Sequence, residues 1–264
     1  MTATRAPLLS TRLTGRNARV LNFLTGAAIA LGLADLVVLS GVPLSSPKVG
    51  TIVLPLATAL VAAGLAATRL LWSTGDRTMW ILLTAGLAAT LLGGIVSAIG
   101  GGHLDHAGAQ DVFWLLAYPP WYAALVVISR HYLGGAHRSF WLDGLLIGLA
   151  SATYVSALFL GDISGLSDTT LAVNVAYPAA DLALLGILFG TLLMIGRPSP
   201  QGLVLAAGLV LMLASDTLRV VGLAAGHGAA TSSVNVCWSL ALLAIASAAW
   251  ARPAPGRVLP VGGW

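Results

Sequence analysis

Eight apolar runs, approximately residues 20–40, 50–72, 79–99, 111–130, 139–160, 170–195, 201–224 and 231–250, occupy most of this chain. Each lies near the ~20 residues that a helix needs to cross a bilayer. The links between them carry Gly, Pro, Ser and Asp, the composition of short inter-helix loops. Only 8% of the residues are charged, against roughly 25% in a soluble domain. The pattern predicts an all-α integral membrane protein, a bundle of about eight transmembrane helices in a lipid bilayer. Residues 1–19 form a basic tail, 20–250 a polytopic domain and 251–264 a short second tail. The first run follows four arginines and lacks a convincing cleavage site, so it reads as a retained anchor and not as a signal peptide.

Charge placement predicts orientation. With the N-terminus inside, the tail, the 2–3 loop (Arg69, Arg77), the 4–5 loop (Arg130, Arg138), the 6–7 loop (Arg197) and the C-terminus (Arg252, Arg257) hold eleven of the thirteen basic residues. Lys48 alone lies in an outer loop, and Arg219 lies near the outer end of the seventh run. Asp105, Asp111, Asp162 and Asp168 all fall outside. This is the positive-inside pattern of a multipass membrane protein with both termini in the cytoplasm. Trp72, Trp80, Trp141 and Trp250 then mark the cytoplasmic interface. The pI near 9.7 reflects these dispersed arginines, not a basic patch, and nucleic acid is not an expected partner.

The acid inventory removes whole classes of chemistry. All nine acids are Asp, so every motif built on Glu is excluded, among them zinc-protease helices and Glu-based di-iron sites. Lys48 is the only lysine and is not in a span, which excludes an internal retinal Schiff base. The single Cys237 excludes an internal disulfide or CxxC site. No histidine falls mid-span, which disfavours haem ligation between helices. His103-Leu-Asp-His106, with Asp111 nearby, has metal-ligand residue types, but in a Gly-rich loop it reads as solvated. His131 and His137 join the cytoplasmic arginines. No cofactor or metal is expected.

The polar residues inside the spans carry the functional reading. Asn174, Tyr177 and Asp181 are spaced i, i+3, i+7 and share one helix face. Pro178, between them, frees the backbone carbonyl of Asn174. In hydrocarbon these groups must face a bundle interior or a wet cavity. Asp35 and Asp216 lie about fifteen residues into the first and seventh runs and Asp181 about eleven into the sixth, which at 1.5 Å per residue puts all three between the midplane and the outer third. Asp111, Trp114 and Tyr118 share a face at the outer end of the fourth run, and the eighth adds Asn235 and Trp238. The expected ligand-binding or proton site is therefore Asp35, Asp111, Trp114, Tyr118, Asn174, Tyr177, Asp181, Asp216, Arg219 and Asn235. The competing reading is cross-bracing: Asp216 paired locally with Arg219, and a protonated Asp181 bonded to Tyr118 or Asn235. Asp181 and Asp216 on consecutive spans also raise an intramembrane aspartyl protease. Its shared-proton pair sits poorly beside Arg219, however, and the second site reads Ala-Ser-Asp where that family has Gly-x-Gly-Asp.

The chain also resembles itself. Asp111-Val-Phe-Trp-Leu-Leu-Ala117 matches Asn235-Val-Cys-Trp-Ser-Leu-Ala241, which is either chance in a narrow alphabet or a duplicated helical hairpin, runs 3–4 echoed by 7–8. Gly144/Gly148, Gly186/Gly190 and Gly222/Gly226 are GxxxG pairs that suit intrachain packing and a homo-oligomer equally.

Asp111-x-x-Trp-Leu-Leu-Ala-Tyr-Pro119, Leu142-Asp-Gly-Leu-Leu146, Ala176-Tyr-Pro-x-x-Asp-Leu182 and Ala214-Ser-Asp216, followed by Trp238, occur in that order. This resembles the multipass N-terminal membrane region of actinobacterial cyclic-di-GMP signalling proteins that carry GGDEF and EAL domains. The likeness covers about runs 3 to 8. It implies a sensory or anchoring input region with a signalling partner at the cytoplasmic or membrane side. There is no GGDEF, and without Glu no EAL, so the enzymatic activities do not carry over. The expected function is a non-enzymatic sensory or signalling membrane module; the alternative is a small-solute or proton-coupled transporter.

Overall fold

In the computed structural model the structure describes residues 15–41, 48–72, 77–101, 106–133, 168–195, 199–225 and 232–251, with isolated positions between 146 and 157. The described residues hold helices and turns and no strand. Helix α1 is Gly15–Leu39; a π-helical turn, Val49–Val53, leads directly into α2, Leu54–Trp72. Then come α3 (Arg77–Ile99), α4 (Ala109–Leu116), α5 (Tyr118–Leu133), α6 (Asp168–Ile195), α7 (Pro200–Ala224) and α8 (Ser232–Ser247).

Among the described residues, six helical segments are long and apolar enough to cross a membrane: Gly15–Leu39, Val49–Trp72, Arg77–Ile99, Ala109–Arg130, Thr169–Ile195 and Pro200–Leu223. Ser232–Ser247 is apolar but shorter, at 16 residues. The chain is thus a membrane-embedded helical protein. The expected span 139–160 lies outside the described residues except for isolated positions, as do Trp141, Asp143, Gly144 and Gly148. So do Arg5, Arg12, His103, Asp105, His137, Arg138, Asp162, Arg197, Gly226 and the tail from 252.

Local chemistry explains the breaks. The expected single helix at 111–130 divides at Ala117, because Pro119 and Pro120 have no N–H to offer the carbonyls one turn back. The Ala117 N–H instead bonds to the Trp114 carbonyl at 3.2 Å, and the Trp121 N–H returns to Ala117 at 3.4 Å. The matched segment at 235–241 continues as a helix because Leu242 and Leu243 follow it. Pro178 lies inside α6 without ending it. Pro200 opens α7 behind Ser199, whose Oγ accepts the Gly202 N–H at 3.0 Å, a standard N-cap. Helix α3 stops where Gly101 takes φ +88°, a left-handed turn that glycine adopts without strain.

The helices close a ring. Helix α2 packs on α3, α3 on α4 and α5, α5 on α6, α6 on α7, α7 on α8, and α8 returns to α2. Helix α1 lies against α2 and α8, and among its residues only Ala28 and Asp35 are buried. Small residues bring the helices close: Ala59, Ala62, Ala124, Ala241 and Ala246 are almost fully enclosed. Gly208 of α7 faces Ile245 and the Ala241 carbonyl, where a methyl group would crowd the backbone of α8. Phe23, Ile29, Leu60, Leu71, Ile99 and Leu193 point outward, a surface suited to acyl chains.

One contact positions the site. On α3, Gly86 and Gly93 stand two turns apart, and Trp121 and Trp114 have the same separation across α5 and α4. Each indole lies on bare α3 backbone, and a methyl group at either glycine would overlap the ring. Trp114 Nε1 donates to the Thr90 carbonyl at 3.2 Å and Trp121 Nε1 to the Leu83 carbonyl at 3.3 Å. The proline-broken α4–α5 segment is thereby pinned against α3.

A candidate ligand site inside one end of the ring

At one end of the ring, the π turn, the start of α2 and the N-terminal parts of α4, α6 and α8 meet the C-terminal parts of α3 and α7. They enclose a cavity of about 80 Å³, room for several waters or one small molecule, since a single water needs about 10–15 Å³ on this measure. Its walls are aromatic: Trp114, Tyr118, Trp121, Tyr177 and Trp238 all line it. Trp114 meets Trp238 edge to face at 5.9 Å, and Tyr118 meets Trp121 in the same way at 5.9 Å. Asp216, Arg219, Asn235 and Ser215 contribute the polar lining.

Two linked groups of hydrogen bonds stand behind these walls. In the first, Asp111 of α4 gathers three partners. Its Oδ2 accepts the Gly108 N–H at 2.8 Å, capping its own helix, and its Oδ1 accepts the Tyr177 hydroxyl at 2.7 Å. Arg219 of α7 brings Nη2 within 3.7 Å of the same Oδ1 and lays its guanidinium over the Tyr177 ring at 5.5 Å. In the second, the Tyr118 hydroxyl of α5 donates to Asp181 Oδ1 of α6 at 2.9 Å and lies 3.4 Å from Asp216 Oδ2 of α7. The rings of Tyr118 and Tyr177 are 6.3 Å apart and join the two groups.

The second group is short of protons. Tyr118 has one O–H, and the 2.9 Å distance assigns it to Asp181. Asp181 and Asp216 thus face one hydroxyl from α6 and α7, and Asp181 Oδ2 has no donor. A carboxyl supplies a donor of its own only when it is protonated. Asp181 is completely enclosed and Asp216 nearly so. A proton taken up by either carboxyl would supply the missing donor at this junction of α5, α6 and α7.

The structure brings Asp111, Tyr118, Tyr177, Asp181, Asp216 and Arg219 into this one network and sets Trp114 and Asn235 on the cavity wall. The tie from Asp181 runs to Tyr118, one of the two partners that cross-bracing offered, and Arg219 reaches across helices to Asp111. Asn174 is buried on the same face of α6, but its Nδ2 turns back to the Thr170 carbonyl at 2.8 Å. Asp35 stands apart on α1, fully buried beside Ser239 of α8, and does not line the cavity. Trp121, Thr90 and Ser215 are wall residues that the sequence reading passed over. The seven-residue spacing of Gly86/Gly93 matched to that of Trp114/Trp121 is the signal that would have found Trp121. Among the described residues no group of three or more His, Cys, Asp or Glu has an arrangement that would hold a metal ion.

No protein-family model matches the chain, and neither a curated protein nor a solved structure is significantly similar to it.

Proposed function

We propose that this chain is a non-enzymatic sensory or signalling module of a bacterial cytoplasmic membrane, with about eight spans and both termini in the cytoplasm. In that orientation the cavity opens toward the outer half of the bilayer. The observation that carries the reading is the Tyr118–Asp181–Asp216 junction beside the cavity. There the Tyr118 hydroxyl of α5 faces one carboxyl from α6 and one from α7. A ligand or proton that changes the charge at this junction changes which helices are tied, and so biases two packings of the ring. A partner at the cytoplasmic face would read the difference. The motif pattern, which resembles that of membrane input regions of cyclic-di-GMP signalling proteins, suits the same reading.

The test uses the single Cys237 on α8, next to the cavity residue Trp238, as a native reporter of packing. Its maleimide labelling rate in membranes, divided at each pH by that of a free model thiol to remove the thiolate effect, is expected to change across the pH range over which the junction exchanges its proton. Asp181→Asn is expected to abolish that change. A labelling rate that responds identically in wild type and variant would defeat the site assignment. Co-purification from the native membrane should also recover a cytoplasmic signalling partner.

A transporter is the second reading, and one observation favours it. A smaller cavity of about 20 Å³ lies at the opposite end of the ring, with Thr191, Ser199 and Gln201 in its lining. Leu184, Ile187 and Leu188 of α6, all fully buried, fill the stretch between the two levels, which is the arrangement of a closed module. Solute flux in proteoliposomes separates the readings, since a transporter works alone. An aspartyl protease fits less well: the cavity reaches Asp216 but not Asp181, so a peptide in it would not meet both carboxyls.

A further inference from the structure

We infer that the cavity ligand is a small organic cation, a primary or methylated ammonium ion held between Asp216 and the aromatic walls. This rests on the sensory reading only in placing a ligand at this site, and it adds the chemical class.

Charge is the first ground. Among the described residues, three carboxyl groups, Asp111, Asp181 and Asp216, share this end of the ring with one cavity-lining cation, Arg219. Asp111 takes Arg219 at 3.7 Å. Asp181 and Asp216 remain, both facing the Tyr118 hydroxyl, and a proton on either would neutralise only that one. One negative charge is left over, and burying it uncompensated is costly. Asp216 is the member of that pair that faces the cavity, so a positive ligand there completes the balance.

Shape and surface are the second. Five aromatic side chains surround an opening of about 80 Å³. Aromatic faces carry negative potential and favour weakly hydrated organic cations over small hard ions. The site already shows the interaction internally, in the guanidinium of Arg219 over Tyr177. A drug-sized ligand needs roughly 300–1,000 Å³, so the occupant is small. The third ground is an unmet polar group: Asn235 lines the cavity, is more than nine-tenths buried, and its Nδ2 has no hydrogen-bond partner. As placed, that amide nitrogen is a donor, for which an ammonium ion has no acceptor. With the amide's oxygen and nitrogen exchanged, the unmet atom is the carbonyl oxygen, an acceptor for an ammonium N–H.

The inference goes beyond a proton because a proton needs neither the space nor the rings. It differs from an anion site because Arg219 is already engaged by Asp111 and by Tyr177.

The experiment is titration of the purified protein in lipid nanodiscs with methylammonium and with tetramethylammonium chloride. Sodium chloride at equal ionic strength is the reference and sodium acetate the anionic counterpart. Tryptophan fluorescence reads the cavity directly through Trp114, Trp121 and Trp238. Saturable quenching by an ammonium probe but not by sodium or acetate is expected. Asp216→Asn should weaken it at least tenfold and Trp238→Leu several-fold, while Ser129→Ala, at the opposite end, leaves it unchanged. Saturation by acetate alone would overturn the inference in favour of an anion, and saturation by none of the probes would leave only water and protons in the cavity. Both of these outcomes are measured on wild-type protein, so a misfolded variant does not obscure them. Cys237 labelling in the same samples separates the two readings. Ammonium binding that leaves labelling unchanged would overturn the sensory module and keep the cation. A pH-driven change in labelling relative to the model thiol, without ammonium binding, would do the reverse.

Discussion

The two ends of the ring use polar groups in opposite ways. At the end away from the large cavity, side chains bond mainly to backbone. Ser129 Oγ lies 2.8 Å from the Leu125 carbonyl and Thr191 Oγ1 2.7 Å from the Ile187 carbonyl, with the two hydroxyls 2.6 Å apart. Trp250 Nε1 donates to the Leu65 carbonyl and Gln201 Nε2 to the Ala248 carbonyl, each at 3.2 Å. Arg69 stacks between Trp80 and Trp250, 5.8 and 5.6 Å from their ring centres. Backbone carbonyls do not titrate, so these ties hold over any ordinary condition. At the cavity end the ties run between side chains of four consecutive helices, α4 to α7, and several of those side chains are carboxyls whose protonation can change. One end behaves as a clamp and the other as an adjustable joint.

That contrast can be broken most severely at Arg219. Arg219→Met removes the cation from beside three carboxyls, leaving Asp111 with the Tyr177 hydroxyl and its own cap. Loss of one partner of a buried ion pair costs about 3–5 kcal/mol, and a fall in unfolding midpoint of the detergent-solubilised protein is the check. An unchanged midpoint would show that Asp111 needs no cation.

Gly93→Ala comes next. The added methyl must displace the Trp114 ring from α3, at about 1–3 kcal/mol for overpacking. The same change at Gly86 displaces Trp121. Because both indoles line the cavity, the destabilisation should be accompanied by a shift in tryptophan emission. Destabilisation without any spectral change would mean that the strain is absorbed elsewhere.

The smallest effect belongs to the clamp. Ser129→Ala removes one hydroxyl that has a carbonyl in its own helix as well as Thr191 as partner. Interhelical hydrogen bonds of this kind average about 0.6 kcal/mol in membranes, so a loss of about that size, unaltered by pH, is expected. A loss as large as that in Arg219→Met would erase the distinction between the ends.

Much of the site was legible because hydrocarbon is an unforgiving solvent. An aspartate within a span has to find company, and Asp111, Asp181 and Asp216 did, with Tyr118, Tyr177 and Arg219 drawn in by helical spacing and matched depth. Depth alone misplaced Asp35. It lies at a comparable level, but a helix outside the ring turns it toward Ser239, and nothing in a single sequence says which helices close the ring. Asn174 had the right face and the wrong partner, because an amide on a helix can satisfy itself one turn back.

Composition and run length by themselves determined that this is a membrane-embedded helical protein with a polar interior confined to a few turns, since burial of charge and unpaired backbone in lipid leaves little alternative. The tertiary structure decided the rest. The order of neighbours in the ring, the break at Ala117 that swings Tyr118 toward Asp181, and the crossing of Arg219 to Asp111 all depend on contacts between residues far apart in the chain. Helical periodicity reports which face of one helix is polar. Only packing decides which other face it meets.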